Sequence, residues 1–204
     1  PYVTVSSLFL YLLGFYILLL SLKLDKFTSL IGALAFGLSS YNIIIIAAGH
    51  ISKTYAIAYM PIAFAGFIYL FERKYIWGAI LATLGLGLEL VTGHVQIVYY
   101  TAIAVAIYYV FSFFWHLKDK QLKNFGISTL FAAISVAFAI LPNIGQFWRT
   151  YEAGKYSMRG KSELTIDKTI KKTTGLEREY AFSWSYGVDE TWTLLIPNVK
   201  GGAS

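Results

Sequence analysis

Long apolar runs separated by short polar breaks organise most of the chain. A helix that crosses a membrane needs about 20 apolar residues, and about six runs approach that length before Pro142. We therefore expect an all-α polytopic membrane protein with about six transmembrane helices and a small extracytoplasmic segment. The expected spans lie near residues 3–22, 27–48, 54–71, 75–92, 95–115 and 125–141.

The fourth run carries a stripe of small residues that ends in a carboxylate. Gly78, Ala82, Gly85 and Glu89 follow one another at steps of four, three and four, so they share one helix face. Small residues let a second helix approach closely. We therefore expect Glu89 to face the bundle, with a partner from its outer part: His94, His50 or Lys53. The competing interpretation is a carboxylate at the boundary that reaches water.

Composition supports the membrane class. Hydrophobic residues make up 57% of the chain and charged residues only 14%, whereas soluble domains are nearer a quarter charged. The net charge is +6, and the basic residues lie in loops between apolar runs. This distribution is explained better by the orientation of the chain in a membrane than by nucleic acid as a partner. The chain has no cysteine, which excludes thiolate catalysis and disulfides.

The basic residues of the short loops predict the orientation. The loops after the first, third and fifth runs hold Lys23, Lys26, Arg73, Lys74, Lys118, Lys120 and Lys123. The loops after the second and fourth runs hold only Lys53. Cytoplasmic loops carry the excess of Lys and Arg, so the loop with Lys53 and everything after Pro142 should lie outside the cytoplasm.

Two loops on that outer side repeat one pattern. Gly49-His50-Ile51 and Gly93-His94-Val95 each continue to a tyrosine six residues after the glycine, Tyr55 and Tyr99. The glycines also suit helix C-caps in the left-handed region, with the histidines as satisfied boundary residues. A zinc site from His50, His94 and Glu89 is a weaker alternative, because nothing in the spacing is diagnostic.

Residues 143–204 form the segment with soluble character, and we expect it to be extracytoplasmic. The chain begins at Pro1 and ends at Ser204 as a piece of a longer protein would, with this segment truncated. Aromatic residues alternate with small ones from Tyr180 to Tyr186, which favours a strand, but Leu176, Tyr180 and Trp184 also fit a helix. Trp184 and Tyr186 could stack on a sugar, although the core of a small tail domain explains them as well.

Several stretches, taken together, resemble the YfhO family of bacterial multi-pass membrane proteins in its Bacteroidetes form. They are LYLLGFYILLL, FGLSSYNIIII, AAGHISKTYAIAYMP, LELVTGHVQIVYY, YEAGKYSMRGKSEL and REYAFSWSYGVDETWTLLIPN. The resemblance implies a fold like that of the polyprenyl-phosphate-dependent (type C) glycosyltransferases, in the bacterial cytoplasmic membrane. Those enzymes transfer a sugar from a lipid-phosphate carrier to a glycan or polymer acceptor on the outer face. Their catalytic carboxylate usually lies in the first outer loop, which would precede Pro1, so no catalytic residue is assigned.

Three functions remain open: a glycosyltransferase module, a transporter or flippase using Glu89 with His50 and His94, and an assembly subunit without chemistry. Juxtamembrane cations would hold the lipid phosphate. A divalent ion bound together with that phosphate is the one cofactor left open. The candidate substrate-binding residues are His50, Lys53, Glu89, His94, Gln96, Arg149, Lys155, Arg159, Trp184 and Tyr186.

Overall fold

The computed structural model describes residues 2–155, 182–183, 185 and 187–194. Within these residues every regular element is helical. The α-helices are α1 Tyr2–Ser21, α2 Lys26–Gly37, α3 Ser40–Ala47, α4 Ile51–Phe71, α5 Tyr75–Val91, α6 Val95–Lys118, α7 Leu122–Ile140 and α8 Ile144–Lys155. Short 3₁₀ segments cover Leu141–Asn143 and Val188–Leu194.

The described helices include several that are long and apolar enough to cross a membrane. Helices α1, α4 and α6 meet both criteria, as does the stretch Leu122–Gly154. The pair α2 and α3 meets them together but is bent by 43°. Helix α5 is apolar but has only 17 residues. The multi-pass membrane class therefore follows from length and composition, while the count of six spans stays a prediction.

The second predicted span is two helices rather than one. Helix α2 ends at Gly37, and Ser39 has an extended ψ of 144° before α3 begins. The buried Asn42 side chain donates a hydrogen bond of 2.8 Å to the Phe36 carbonyl oxygen. A break inside an apolar run leaves backbone groups without helical partners, so this amide stabilises the bend. The run 27–48 therefore consists of two helices, and its crossing of the membrane as one span stays a prediction.

The closest helix pair of the bundle is α4 with α5. The predicted stripe on α5 is confirmed, because Gly78, Ala82, Gly85 and Glu89 are all buried. A Cβ atom added at Gly78 would lie 2.7 Å from the backbone nitrogen of Leu70, and one at Gly85 would lie 2.7 Å from the Cα atom of Ala63. Such approaches are possible only where the side chain is a hydrogen atom.

Helix α4 lies at the centre of these contacts. It packs against α1, α3, α5, α6 and α7, and two thirds of its most apolar window is buried. The core clusters gather on it: Tyr11 of α1 packs with Ala56 and Ile57, and Ala82 of α5 packs with Phe67 and Leu70.

The helical course continues through Pro142. This proline lies in the 3₁₀ segment Leu141–Asn143, and α8 follows directly. A proline is tolerated in the first turn of a helix, because an amide at that position would have no helical hydrogen-bond partner. The buried Asn143 side chain then donates to the carbonyl oxygens of Ala139 at 2.8 Å and Gly87 at 3.2 Å.

The chain divides into two compact units, Pro1–Phe147 and Trp148–Ser204. The boundary falls inside α8, whereas the sequence suggested residues 142–143. In the second unit, the Trp148 and Tyr151 rings are 6.2 Å apart. Of the predicted strand 180–186, only Phe182, Ser183 and Ser185 are described: Phe182 is helical and Ser183 lies in a turn. The rest of that prediction lies outside the described residues.

Candidate functional site

The first Gly-His turn is a helix C-cap. Gly49 has a φ of 75°, in the left-handed region that glycine adopts without strain. Its amide donates to the Ile46 carbonyl at 3.1 Å, and the His50 amide donates to the Ile45 carbonyl at 3.2 Å. These two bonds form the Schellman motif. The alternative interpretation of this glycine as a C-cap is therefore confirmed.

The second turn closes in a different way. Gly93 has a φ of 72°, and its amide donates to the Leu90 carbonyl at 3.1 Å. The His94 amide, however, donates to the Thr92 hydroxyl at 3.3 Å, and that hydroxyl donates to the Glu89 carbonyl at 2.6 Å. The Thr92 hydroxyl thus replaces the outer backbone hydrogen bond of the Schellman motif and links the second turn to the Glu89 carbonyl.

Both turns line one open cavity of about 550 Å³. His50, Ser52 and Lys53 contribute from the first turn and the start of α4, and His94 contributes from the second turn. His50 is exposed, whereas the Nδ1 atom of His94 is buried without a hydrogen-bond partner in the part of the chain that the structure describes. The Lys53 ammonium lies 5.3 Å from the centroid of the Tyr41 ring. The cavity therefore combines one cation with two imidazoles.

A positive charge at Lys53 is not explained by helix stability. Lys53 is the third residue of α4, and the positive end of a helix dipole disfavours a cation in the first turn. The excess of basic residues in cytoplasmic loops does not explain it either, because it lies at the predicted outer end. A bound anion would be stabilised by both Lys53 and the dipole.

Glu89 faces protein as predicted, but its partner is Thr101 of α6 rather than His94, His50 or Lys53. The Glu89 side chain is 0% exposed, and its Oε1 atom accepts a hydrogen bond of 2.6 Å from the Thr101 hydroxyl. Its Oε2 atom is buried and has no hydrogen-bond partner among the described residues. Thr101 is a polar residue inside the apolar run of α6, which is the signal that could have identified it.

Of the remaining candidates, Gln96 is in the first unit and does not line the cavity. Gln96 is exposed, and its amide donates to the Tyr100 hydroxyl at 2.7 Å. Arg149 and Lys155 belong to α8 in the second unit, and Arg149 is exposed. The candidates outside the described residues are Arg159, Trp184 and Tyr186.

Metal ligation finds no support in the part of the chain that the structure describes. No three His, Cys, Asp or Glu side chains are close enough together there to hold an ion. Glu89 accepts a hydrogen bond from Thr101 and does not line the cavity to which His50 and His94 contribute. The zinc alternative was therefore wrong for these three residues.

Comparison of the chain with protein families, with curated proteins and with solved structures finds no match. The resemblance to the YfhO family stays a prediction. The described part of the chain is all-helical and of the multi-pass membrane type, with a histidine- and lysine-lined cavity between two short turns.

Proposed function

We propose that this chain is part of a membrane glycosyltransferase-like protein. The complete protein would transfer a sugar from a polyprenyl-phosphate carrier to an acceptor on the outer face of the cytoplasmic membrane. One observation carries the proposal: two distant turns place His50, Lys53 and His94 around one open cavity at the predicted outer end. The resemblance to the YfhO family supplies the reaction class.

The cavity suits the phosphate of a membrane-anchored carrier. Lys53 supplies a point charge, and the N-terminus of α4 adds backbone amides without helical partners. The imidazoles of His50 and His94 can each donate a hydrogen bond to a phosphate or sugar oxygen. These residues hold the carrier, and the reacting carboxylate comes from the outer loop that the resemblance places before Pro1.

The proposal is tested by binding of polyprenyl phosphate to the purified full-length protein. Lys53→Ala should weaken binding at least about tenfold, because a charge-assisted hydrogen bond contributes about 1.5–3 kcal/mol. Lys123→Ala is the matched control, since Lys123 is also in the first turn of a helix but does not line the cavity. Lys53→Arg should also weaken binding if the site is shaped around an ammonium.

Three results would count against the proposal. Equal affinity of Lys53→Ala and the parent protein would place the carrier elsewhere. An equal loss in Lys53→Ala and Lys123→Ala would mean a general attraction of basic residues to the lipid phosphate. Absence of binding by the parent protein itself would favour the assembly subunit.

The buried Oε2 atom of Glu89 supports a second candidate, a flippase for such a lipid. Ionisable residues inside a span usually mark transport or ligand pathways. In vesicles containing a fluorescent polyprenyl phosphate, Glu89→Gln should then abolish transfer between leaflets while Thr101 keeps its hydrogen bond to the amide. Unchanged transfer in this variant would leave Glu89 with a packing role.

A further inference from the structure

A second cavity of about 550 Å³ lies at the opposite end of the first unit. It opens where α4 runs into the turn toward α5 and is flanked by the end of α1 and the last turns of α6. Its apolar side comprises Phe71 of α4 and Tyr108, Phe111 and Trp115 of α6. Phe71 is buried and meets the Tyr108 ring edge-on at 6.0 Å. In contrast, Phe111 and Trp115 are 70% and 72% exposed.

The polar side of the cavity is a cluster of charged residues from two turns. Glu72 accepts from Lys23 at 2.8 Å and lies 3.6 Å from the Lys74 ammonium. Asp119 adds a second carboxylate to the lining. Arg73 is exposed and has no ion pair among the described residues. Three cations against two carboxylates leave a net positive charge, and Arg73 is the cation that no carboxylate neutralises.

A nearly buried histidine completes the lining. His116 is 9% exposed, and its Nδ1 atom lies 2.8 Å from the Ser112 carbonyl oxygen. A carbonyl oxygen only accepts, so Nδ1 carries the proton and donates. The Nε2 edge is then left for a ligand or for water. The cavity thus offers a guanidinium and an imidazole next to an exposed aromatic surface.

We propose that this cavity binds an anionic phospholipid of the cytoplasmic leaflet. The phosphate would lie at Arg73, which can bind it through two parallel hydrogen bonds, and an acyl chain would lie against Phe111 and Trp115. The loop charges predict that this end is cytoplasmic, and basic pockets between helices on that side bind anionic head groups. A small soluble phosphate would not need the exposed aromatic surface. The proposal does not depend on the proposed function.

The test is lipid retention by the purified full-length protein in mixed micelles of phosphatidylglycerol and phosphatidylcholine, counted by native mass spectrometry. Arg73→Gly should lower the preference for phosphatidylglycerol about fivefold, the effect of one phosphate-facing cation. Arg73 has a φ of 66°, which glycine adopts freely, so the variant should fold. Lys120→Gly is the matched control: Lys120 has a φ of 56° at the same end and does not line the cavity.

Unchanged retention by Lys120→Gly together with the loss in Arg73→Gly supports the site. An equal loss in both variants would overturn it, because attraction to the anionic surface would then be diffuse. Glycerol phosphate added at millimolar concentration separates the two sources of phosphate. If it displaces phosphatidylglycerol from the parent protein, the ligand is a soluble phosphate and the lipid proposal is wrong.

Discussion

The two ends of the helical bundle build the same turn from different residues. At the end with the candidate site, the left-handed positions are Gly49 and Gly93. At the opposite end, they are Lys23, Arg73 and Lys120, with φ between 56° and 66°. The paired backbone bonds of the Schellman motif close all three cationic turns, as they close the turn at Gly49. The backbone geometry is therefore shared, and the choice of side chain has another cause.

The energetics explain how cations are tolerated in a strained conformation. A residue with a Cβ atom in the left-handed region costs about 1 kcal/mol more than glycine. A cation just past a helix C-terminus gains about 0.3–1 kcal/mol from the helix dipole. The dipole offsets part of the conformational cost, so positive charge can be placed on these turns at a modest cost to stability. The glycine turns carry no such charge, which leaves Lys53 as the only basic residue of the short loops at that end.

The prediction with the largest expected effect concerns which end of the bundle faces the cytoplasm. The chain has no cysteine, so single cysteines report cleanly. Lys26→Cys and Lys120→Cys should resist a membrane-impermeant thiol reagent added to intact cells, and Ser52→Cys, which lines the candidate site, should react. Labelling in the reverse pattern would put the candidate site in the cytoplasm and contradict the proposed function.

Disrupting the close contact between α4 and α5 should destabilise the helical bundle. Gly85→Ala forces a Cβ atom against the backbone of Ala63, which cannot move as a side chain can. We expect destabilisation of at least about 2 kcal/mol, as for overpacked cores, measured by reversible denaturant unfolding in detergent. Gly126→Ala is the matched control, since Gly126 is also helical but has no atom within 4 Å. A similar loss in both variants would mean that close approach is not the cause.

Substitutions of the left-handed turn residues should change stability by smaller amounts and so compare the two ends directly. Gly49 has no heavy atom within 4 Å of an added Cβ, so Gly49→Ala measures backbone strain alone, and we expect a loss of about 1 kcal/mol. Gly93→Ala should cost a similar amount, because the atom 2.9 Å from its Cβ is Nε2 of Gln146, the end of a flexible side chain that can move away. Arg73→Gly should leave the thermal midpoint unchanged or slightly higher. A large loss in Arg73→Gly would show that its side chain holds the turn together.

The smallest expected effect concerns the cap of α2 at the cationic end. The Asp25 side chain accepts from the amides of Phe27 at 3.0 Å and Thr28 at 3.1 Å. Hydrogen bonds from Thr28, followed by the Phe27 amide, hold the pKa of Asp25 below its usual value of 3.8. A lowered folded-state pKa stabilises the fold above pH 3.8, and this contribution is lost as the pH falls through the lower folded value.

Thermal midpoints at pH 7 and pH 3 check this effect. The parent protein should lose more stability between the two than Asp25→Asn, whose side chain does not titrate. The described helices α3 to α7 have no side-chain hydrogen bond at their N-caps, so this response should come from one end only. Equal losses in both proteins would assign the pH dependence to other carboxylates.

The helices and the burial of Glu89 could be predicted from the sequence because they depend on local patterns. Apolar runs give a helix its length, and the stripe from Gly78 to Glu89 identifies the face that packs. These signals lie within one element. They do not require knowledge of which helix lies opposite.

The break at Ser39 and the cationic cavity could not be predicted, because each depends on contacts between elements. The partner of Glu89 was missed, although the polar Thr101 inside an apolar run was a signal for it. Thr101 lies on α6, the helix after the one that carries Glu89. Lys23 and Glu72 are far apart in the sequence and meet only when α1 packs on α4. The left-handed lysines give no sequence signal at all, since glycine is the residue expected there.

The burial of α4 has a consequence for how the protein enters the bilayer during synthesis. Among the described helices long enough to cross a membrane it is the most enclosed by protein, so a nascent α4 facing lipid alone lacks most of the packing contacts of its folded state. Its glycine-rich contact with α5 is joined by the three-residue turn at Glu72, Arg73 and Lys74. We therefore expect α4 and α5 to leave the translocon together as a hairpin, with that basic turn retained on the cytoplasmic side.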